Sequence, residues 1–261
     1  MSSLAVVDML ASQLPEVNVA LGAGIAIFAR MAGFIRYAPV LSRSEIPNMV
    51  KLSIALLLTI IITTFMHPNL PPHGVSLIYC IVVNYVCGAI IGFVANCIVQ
   101  VVAAGGDIMN MQMGISSAMV LDPTSQSQVS VMGKLFALMG ILIFIDIGGV
   151  YWMLEAFLRS FQVFPMYGAA IPIEQFASVQ HLSEITSNIL FFGLQIASPV
   201  LLATLGQDII LGLISKTAPQ VNVFQLSFLF KPVLGAAIIM LILPIFFNVI
   251  KDYFLSFAHI F

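Results

Sequence analysis

Residues Gly105–Gln128 read GGDIMNMQMGISSAMVLDPTSQSQ, set between two long apolar runs. The stretch is neither an evident helix nor an ordinary polar loop. It opens with Gly105-Gly106, and each glycine weakens a helix by roughly 1 kcal/mol relative to alanine. Met109, Met111 and Met113 then fall at alternate positions, followed by Gly114 and the pair Ser116-Ser117. It closes on Asp122-Pro123, where proline disfavours helix at the residue before it. A poorly helical segment at membrane depth must be buried in protein or line a cavity, because lipid cannot satisfy its backbone. Unbranched thioether side chains repack readily around different surfaces. The stretch therefore reads as a moving part and a soft seal, with packing filler as the plain reading of the methionines.

The surrounding composition sets the solvent. Of 261 residues 61% are hydrophobic and 8% charged, against about 25% charged in soluble domains, so the chain is an integral membrane protein. A net charge of −2 makes no electrostatic case for nucleic acid. Cys80, Cys87 and Cys97 share one apolar run with no CxxC spacing and no nearby histidine, which reads as apolar packing rather than zinc or disulfide. The start, MSSLAVVDML, lacks a basic n-region and carries Asp8, so no cleaved signal peptide is expected.

A spanning helix needs about 20 mostly apolar residues. Six segments meet this, near Val17–Val40, Ile46–Met66, Val75–Ala104, Val129–Phe161, Leu182–Ser215 and Phe224–Phe261. The fifth is interrupted by Pro199 and by Gly206-Gln207-Asp208, and the sixth holds Pro232 and Pro244, so kinks are expected. The fold is thus all-α and polytopic, about six apolar helices around a central Met/Gly-rich loop. One membrane domain is expected over 1–261: a tail at 1–16, a helical part at 17–165 with the loop at 105–128, and a C-terminal hairpin at 182–261. Lys and Arg concentrate in the odd-numbered loops, with Arg36, Arg43 and Lys51 in the first, which places those loops in the cytoplasm and both termini outside. Lys251 is the one vote against.

Ionisable groups inside membrane segments need partners. Glu155 and Arg159, four apart, can pair on one helix face. Arg30, Asp146, Asp208 and Lys216 are candidates for buried polar positions or partner contacts; for the two aspartates a hydrogen bond to a neighbouring helix competes with an ion relay. Gly88 and Gly92 form a GxxxG that permits close helix contact. GISS at Gly114–Ser117 superficially suits a serine nucleophile, with His181 or His259 as base, but no orienting acid is spaced for it. There is no HExxH and no phosphate-binding loop, so no enzyme, metal or cofactor is expected.

Several motifs in order resemble one family. Gly106, Asp107, Gln112, Met113, Gly114, Ser116 or Ser117, Ala118, Asp122 and Pro123 fit the signature of the FliR family, flagellar export-gate proteins, with Asn110 where glycine is usual. Arg30-Met31, Ala38-Pro39, Pro47 and Lys51 match its N-terminal pattern. Gly148-Gly149, Ser160-Phe161 and Pro165 match its middle, with Val150 for the usual histidine. Ala197, Pro199, Gly212, Ala218-Pro219-Gln220, Asn222 and Phe224 match its C-terminal pattern, with Leu226-Ser227 and Lys231-Pro232 in place of Gly-x-Pro.

The resemblance implies a non-enzymatic subunit, one copy per gate, of a type III export gate built with FliP and FliQ, in contact with FlhB and FlhA. Unfolded flagellar subunits would pass through it at the bacterial inner membrane. It implies that 17–165 is similar to FliP and 182–261 to a FliQ hairpin with Lys216 near the turn. Gly105, Gly106, Met109, Met111, Met113 and Gly114 would plug the pore, with Asp107, Gln112, Asp122 and Pro123 as motif residues. The injectisome T subunit shares this architecture and is the first alternative. A secondary transporter with broken helices is the second, and it predicts an internal repeat that the halves do not show.

Overall fold

The computed structural model describes residues 22–66, 77–115, 130–167 and 179–257. An apolar chain in hydrocarbon must satisfy each backbone N–H and C=O internally, and helix does so within one segment. The described residues accordingly hold seven helices: α1 over 22–37, α2 Asn48–Met66, α3 Leu77–Gln112, α4 Val131–Asp146, α5 Gly149–Val163, α6 Val179–Thr217 and α7 Val223–Phe257. Helices α2, α3, α6 from Ser187 and α7 are long and apolar enough to cross a membrane; α4 with α5 adds a fifth candidate if the interrupted pair is one span. The chain is an all-α, multi-pass membrane protein.

The helices depart from the sequence expectation in three places. The run Val129–Phe161 is two helices, because Gly148 takes φ +82°, a left-handed conformation that ends α4 and that a side chain would strain. Helix α3 does not stop at Ala104 but runs through GGDIMNMQ to Gln112. At 36 residues it is roughly 54 Å long, well beyond a hydrocarbon core of about 30 Å. Helix α6 is continuous across both Pro199 and Gly206-Gln207-Asp208. Proline at 199 cannot donate to the carbonyl of Gln195, and the Ser198 hydroxyl donates to that oxygen instead, at 2.8 Å. Hydroxyls in α2 likewise donate back to their own helix: Ser53 to Met49, Thr59 to Ala55, Thr63 to Thr59 and Thr64 to Ile60.

The chain divides into two compact units that do not follow the order of the sequence. One comprises residues to Asn96 together with Val150–Ala177; the other comprises Cys97–Gly149 together with Ser178–Ile260. In the first unit α1 and the first part of α3 pack backbone to backbone. A Cβ on Gly33 would strike the Tyr85 carbonyl, one on Gly88 the Arg30 carbonyl, and one on Gly92 would come 2.5 Å from the Phe34 oxygen. The GxxxG at Gly88 and Gly92 is used as its spacing suggested, and Gly33 completes it from the facing helix. In the second unit α6 and α7 form an antiparallel hairpin, with Phe192 against Tyr253 at 4.4 Å between centroids and Asp208 against Lys231. Helix α4 packs on the same hairpin through Phe136–Phe246 and Phe144–Phe254 ring pairs at 5.6 and 5.5 Å. Each such edge-on pair contributes about 0.5–1.5 kcal/mol beyond its buried area.

Candidate functional site

The second unit is built around the last two turns of α3. Gly105 and Gly106 face different neighbours. A Cβ on Gly105 would lie 3.0 Å from Ile196 Cγ2 and 3.2 Å from the Gly193 oxygen of α6; one on Gly106 would lie 2.6 Å from the Met132 oxygen and 2.8 Å from Phe136 Cβ of α4. The two glycines were expected to loosen the backbone. They do the opposite: tertiary contact available only to glycine offsets their poor helix propensity. Asp107 sits exposed beside them with a carboxylate oxygen against Gly133, at the start of α4, where Ser130 caps the Gly133 N–H at 2.9 Å. A negative charge there suits the positive end of the helix.

Continuation of the helix separates the three methionines. At helical spacing Met109 and Met113 share a face, and both are buried, at 0% and 1% exposure, while Met111 points away at 66%. The expected alternating stripe is therefore two packing residues and one free one. Asn110, where the family pattern has glycine, is buried on the inner side. The helix then ends at Gly114, whose φ of +73° lets its N–H donate to the Met111 carbonyl at 3.1 Å. Ser116, Ser117, Ala118, Asp122 and Pro123 lie outside the described residues.

Around this helix end is a cavity of about 350 Å³, walled by Met111, Gln112, Met113 and Gly114 from α3 and by Phe224, Ser227, Phe228 and Lys231 from α7. Lys231 also forms an ion pair with Asp208 across the hairpin, Nζ to Oδ1 2.8 Å. This gives Asp208 the neighbouring-helix partner that its own segment lacks. Lys216 stands exposed in the last turn of α6, where a cation meets the negative end of the helix. Asp146 is exposed at the end of α4, where the dipole opposes it.

The first unit holds a second polar centre. Arg30, 1% exposed, donates from Nε and Nη2 to Asn84 Oδ1 at 2.9 and 2.7 Å, from Nη1 to Ser160 Oγ at 3.1 Å, and from Nη2 to the Phe164 carbonyl at 2.8 Å. Its guanidinium lies 4.0 Å above the Phe161 ring. Asn84 in turn donates to the carbonyls of Cys80 and Met166 at 2.8 and 2.9 Å, which fixes the turn after α5. The arginine and Ser160-Phe161 of the sequence motifs thus belong to one network, which also binds the carbonyls on either side of Pro165. Asn84 was not singled out from the sequence, although a lone asparagine inside an apolar run is a signal that could have found it.

Glu155 and Arg159 pair at 2.6 Å, as their i,i+4 spacing predicts. In the first loop Arg43 pairs with Glu45 at 3.1 Å, and that hydrogen bond holds the Arg43 guanidinium above its usual pKa. Lys51 donates to the Ser42 carbonyl at 3.1 Å. Cys80, Cys87 and Cys97 are free thiols, and no group of three or more His, Cys, Asp or Glu able to hold a metal occurs among the described residues. The arrangement supplies a soft apolar helix end over a cavity lined by one ammonium, that of Lys231.

The profile of the bacterial export proteins, family 1, matches residues 21–257. The chain is 27% identical over 221 residues to the flagellar biosynthetic protein FliR of Escherichia coli (strain K12), covering 83% of this chain and 82% of that one. It is 23% identical over 242 residues to FliR of Bacillus subtilis (strain 168), covering 88% and 89%. It is 24% identical over 221 residues to the surface presentation of antigens protein SpaR of Shigella sonnei, covering 82% of each. A match running from α1 to the end of α7, through both polar centres and the end of α3, places this chain in the bacterial export proteins, family 1.

Proposed function

We propose that this chain is the FliR subunit of a flagellar type III export gate in the bacterial inner membrane, where it joins FliP-like and FliQ-like subunits around a pore for unfolded flagellar proteins. It works there without catalysis, in contact with the FlhA and FlhB components. The observation that carries this reading is the family match over residues 21–257, with relatives named flagellar biosynthetic protein FliR in Escherichia coli and Bacillus subtilis. The end of α3 is the closed-state plug in this reading: Met111, exposed on the cavity wall, is free to seal, whereas Met109 and Met113 are buried against their own chain, with Met113 also lining the cavity. Large exposed side chains along α7, among them Met240 at 76% and Leu241 at 79%, suit a subunit covered by lipid and protein neighbours.

Co-expression tests the assembly. With FliP-like and FliQ-like partners the chain should purify as one complex, and alone in detergent it should aggregate or degrade. A monodisperse monomer that ignores those partners would refute the reading. The SpaR similarity supports an injectisome alternative. Restored swimming in a strain lacking its own FliR, without restored secretion in a strain lacking SpaR, separates the two.

A further inference from the structure

Several of the described helical glycines have a close neighbour that accounts for them. Gly33, Gly88, Gly92 and Gly106 each sit where a Cβ would collide with the facing helix, Gly235 where it would strike the Met113 side chain, and Gly105 where it would press tightly on Ile196. Gly206 and Gly212 in α6 are different: a Cβ there would meet nothing within 4 Å. Two glycines in mid-helix weaken α6 and gain no packing from their own chain.

Gly206 borders an apolar groove of about 690 Å³ between α6 and α7. On α6 it runs from Ala203 to Ile214, three turns or roughly 16 Å. The α7 wall is Leu226, Phe230, Val233, Leu234 and Ala237, none of which carries a polar side-chain atom. Gln207 also lines it, and both its Oε1 and its Nε2 are buried with no hydrogen-bond partner among the described residues. A carboxamide offers two donors and an acceptor, and an apolar wall answers none of them.

We infer that this groove seats a transmembrane helix of a neighbouring subunit, which brings a carboxamide or hydroxyl side chain to Gln207 and crosses α6 at Gly206. The inference rests on the proposed membership of a gate complex. Small residues let helix backbones approach, as Gly33 and Gly88 do within this chain, and side-chain amides join helices across such contacts. An acyl chain fits an apolar groove but needs no glycine and offers an amide nothing.

The test uses a chain with Cys80, Cys87 and Cys97 replaced by alanine and Gly206→Cys introduced. N-ethylmaleimide should label Cys at 206 at least tenfold more slowly in membranes of cells that co-express the partners than in membranes of cells expressing the chain alone, both before detergent extraction. Equal rates overturn the inference. Gln207→Leu provides a second readout that does not depend on labelling. It should lower recovery of the complex at least fivefold without lowering the amount of the chain present in the membrane before extraction, whereas unchanged recovery would mean lipid or water occupies the groove. A wild-type chain that never joins a complex overturns both this inference and the proposed function, while a complex that forms with the groove unprotected overturns this inference alone.

Discussion

The side chain of Met113 lies across the bare backbone of Gly235: a Cβ at 235 would come within 2.6 Å of Met113 Cγ and 2.7 Å of its Cε. This contact joins the last residue before the Gly114 cap to the middle of α7. The end of α3 is therefore registered against the hairpin by one methionine and one glycine.

Filling that gap should weaken the register. Gly235→Val forces Met113 off its seat, an overpacking cost of about 1–3 kcal/mol. The melting temperature of the purified complex should fall, and Met113→Ala in the same chain should recover part of the loss. A Gly235→Val variant as stable as wild type would show that the contact is soft.

The three methionines should separate by function. Met109→Ala and Met113→Ala remove buried side chains and should each cost about 2–5 kcal/mol, read as reduced yield and lower melting temperature. Met111→Ala, at an exposed position, should leave stability within about 0.5 kcal/mol and raise the ion conductance of the assembled gate. Conductance that stays at the closed level in an intact Met111→Ala complex would remove Met111 from the seal.

Arg30 and Asn84 should behave as a unit. Asn84→Leu strips the guanidinium of its two shortest side-chain bonds and should cost on the order of 3 kcal/mol. Arg30→Met with Asn84→Leu leaves no buried charge and should be less damaging than Asn84→Leu alone. Additive losses in the double variant, measured by thermal unfolding, would mean the two residues act separately.

The ion pair across the hairpin predicts rescue by exchange. Asp208→Lys puts two ammonium groups together, and Lys231→Asp two carboxylates; either should reduce swimming and complex yield. The double exchange restores an attractive pair and should recover most of both. Failure to recover would show that the chemistry of one side, rather than the pairing, is what matters.

Orientation is testable in cells. Arg36, Arg43 and Lys51 place the first loop in the cytoplasm, so cysteines introduced at Ser44 and Asn69, in a chain without native cysteines, should label from opposite sides. Labelling of both from outside overturns the assignment.

The sequence alone determined the membrane class, the i,i+4 pair of Glu155 and Arg159, and the family motifs, because composition, helical spacing and short motifs are local properties; of the six expected spans, four to five are found among the described residues. Close approach at Gly88 and Gly92 was legible for the same reason. Tertiary structure decided what the glycines of the central stretch do. Gly105-Gly106 reads as a helix breaker from propensity, yet contacts with Ile196 and Met132 keep α3 helical. That continuity turned three alternating methionines into two buried residues and one exposed. The partners of Arg30 and Asp208 were hidden as well, since Asn84 and Lys231 lie 54 and 23 positions away. No local pattern encodes such pairs; they form because buried polar groups must find one another when the apolar helices close around them.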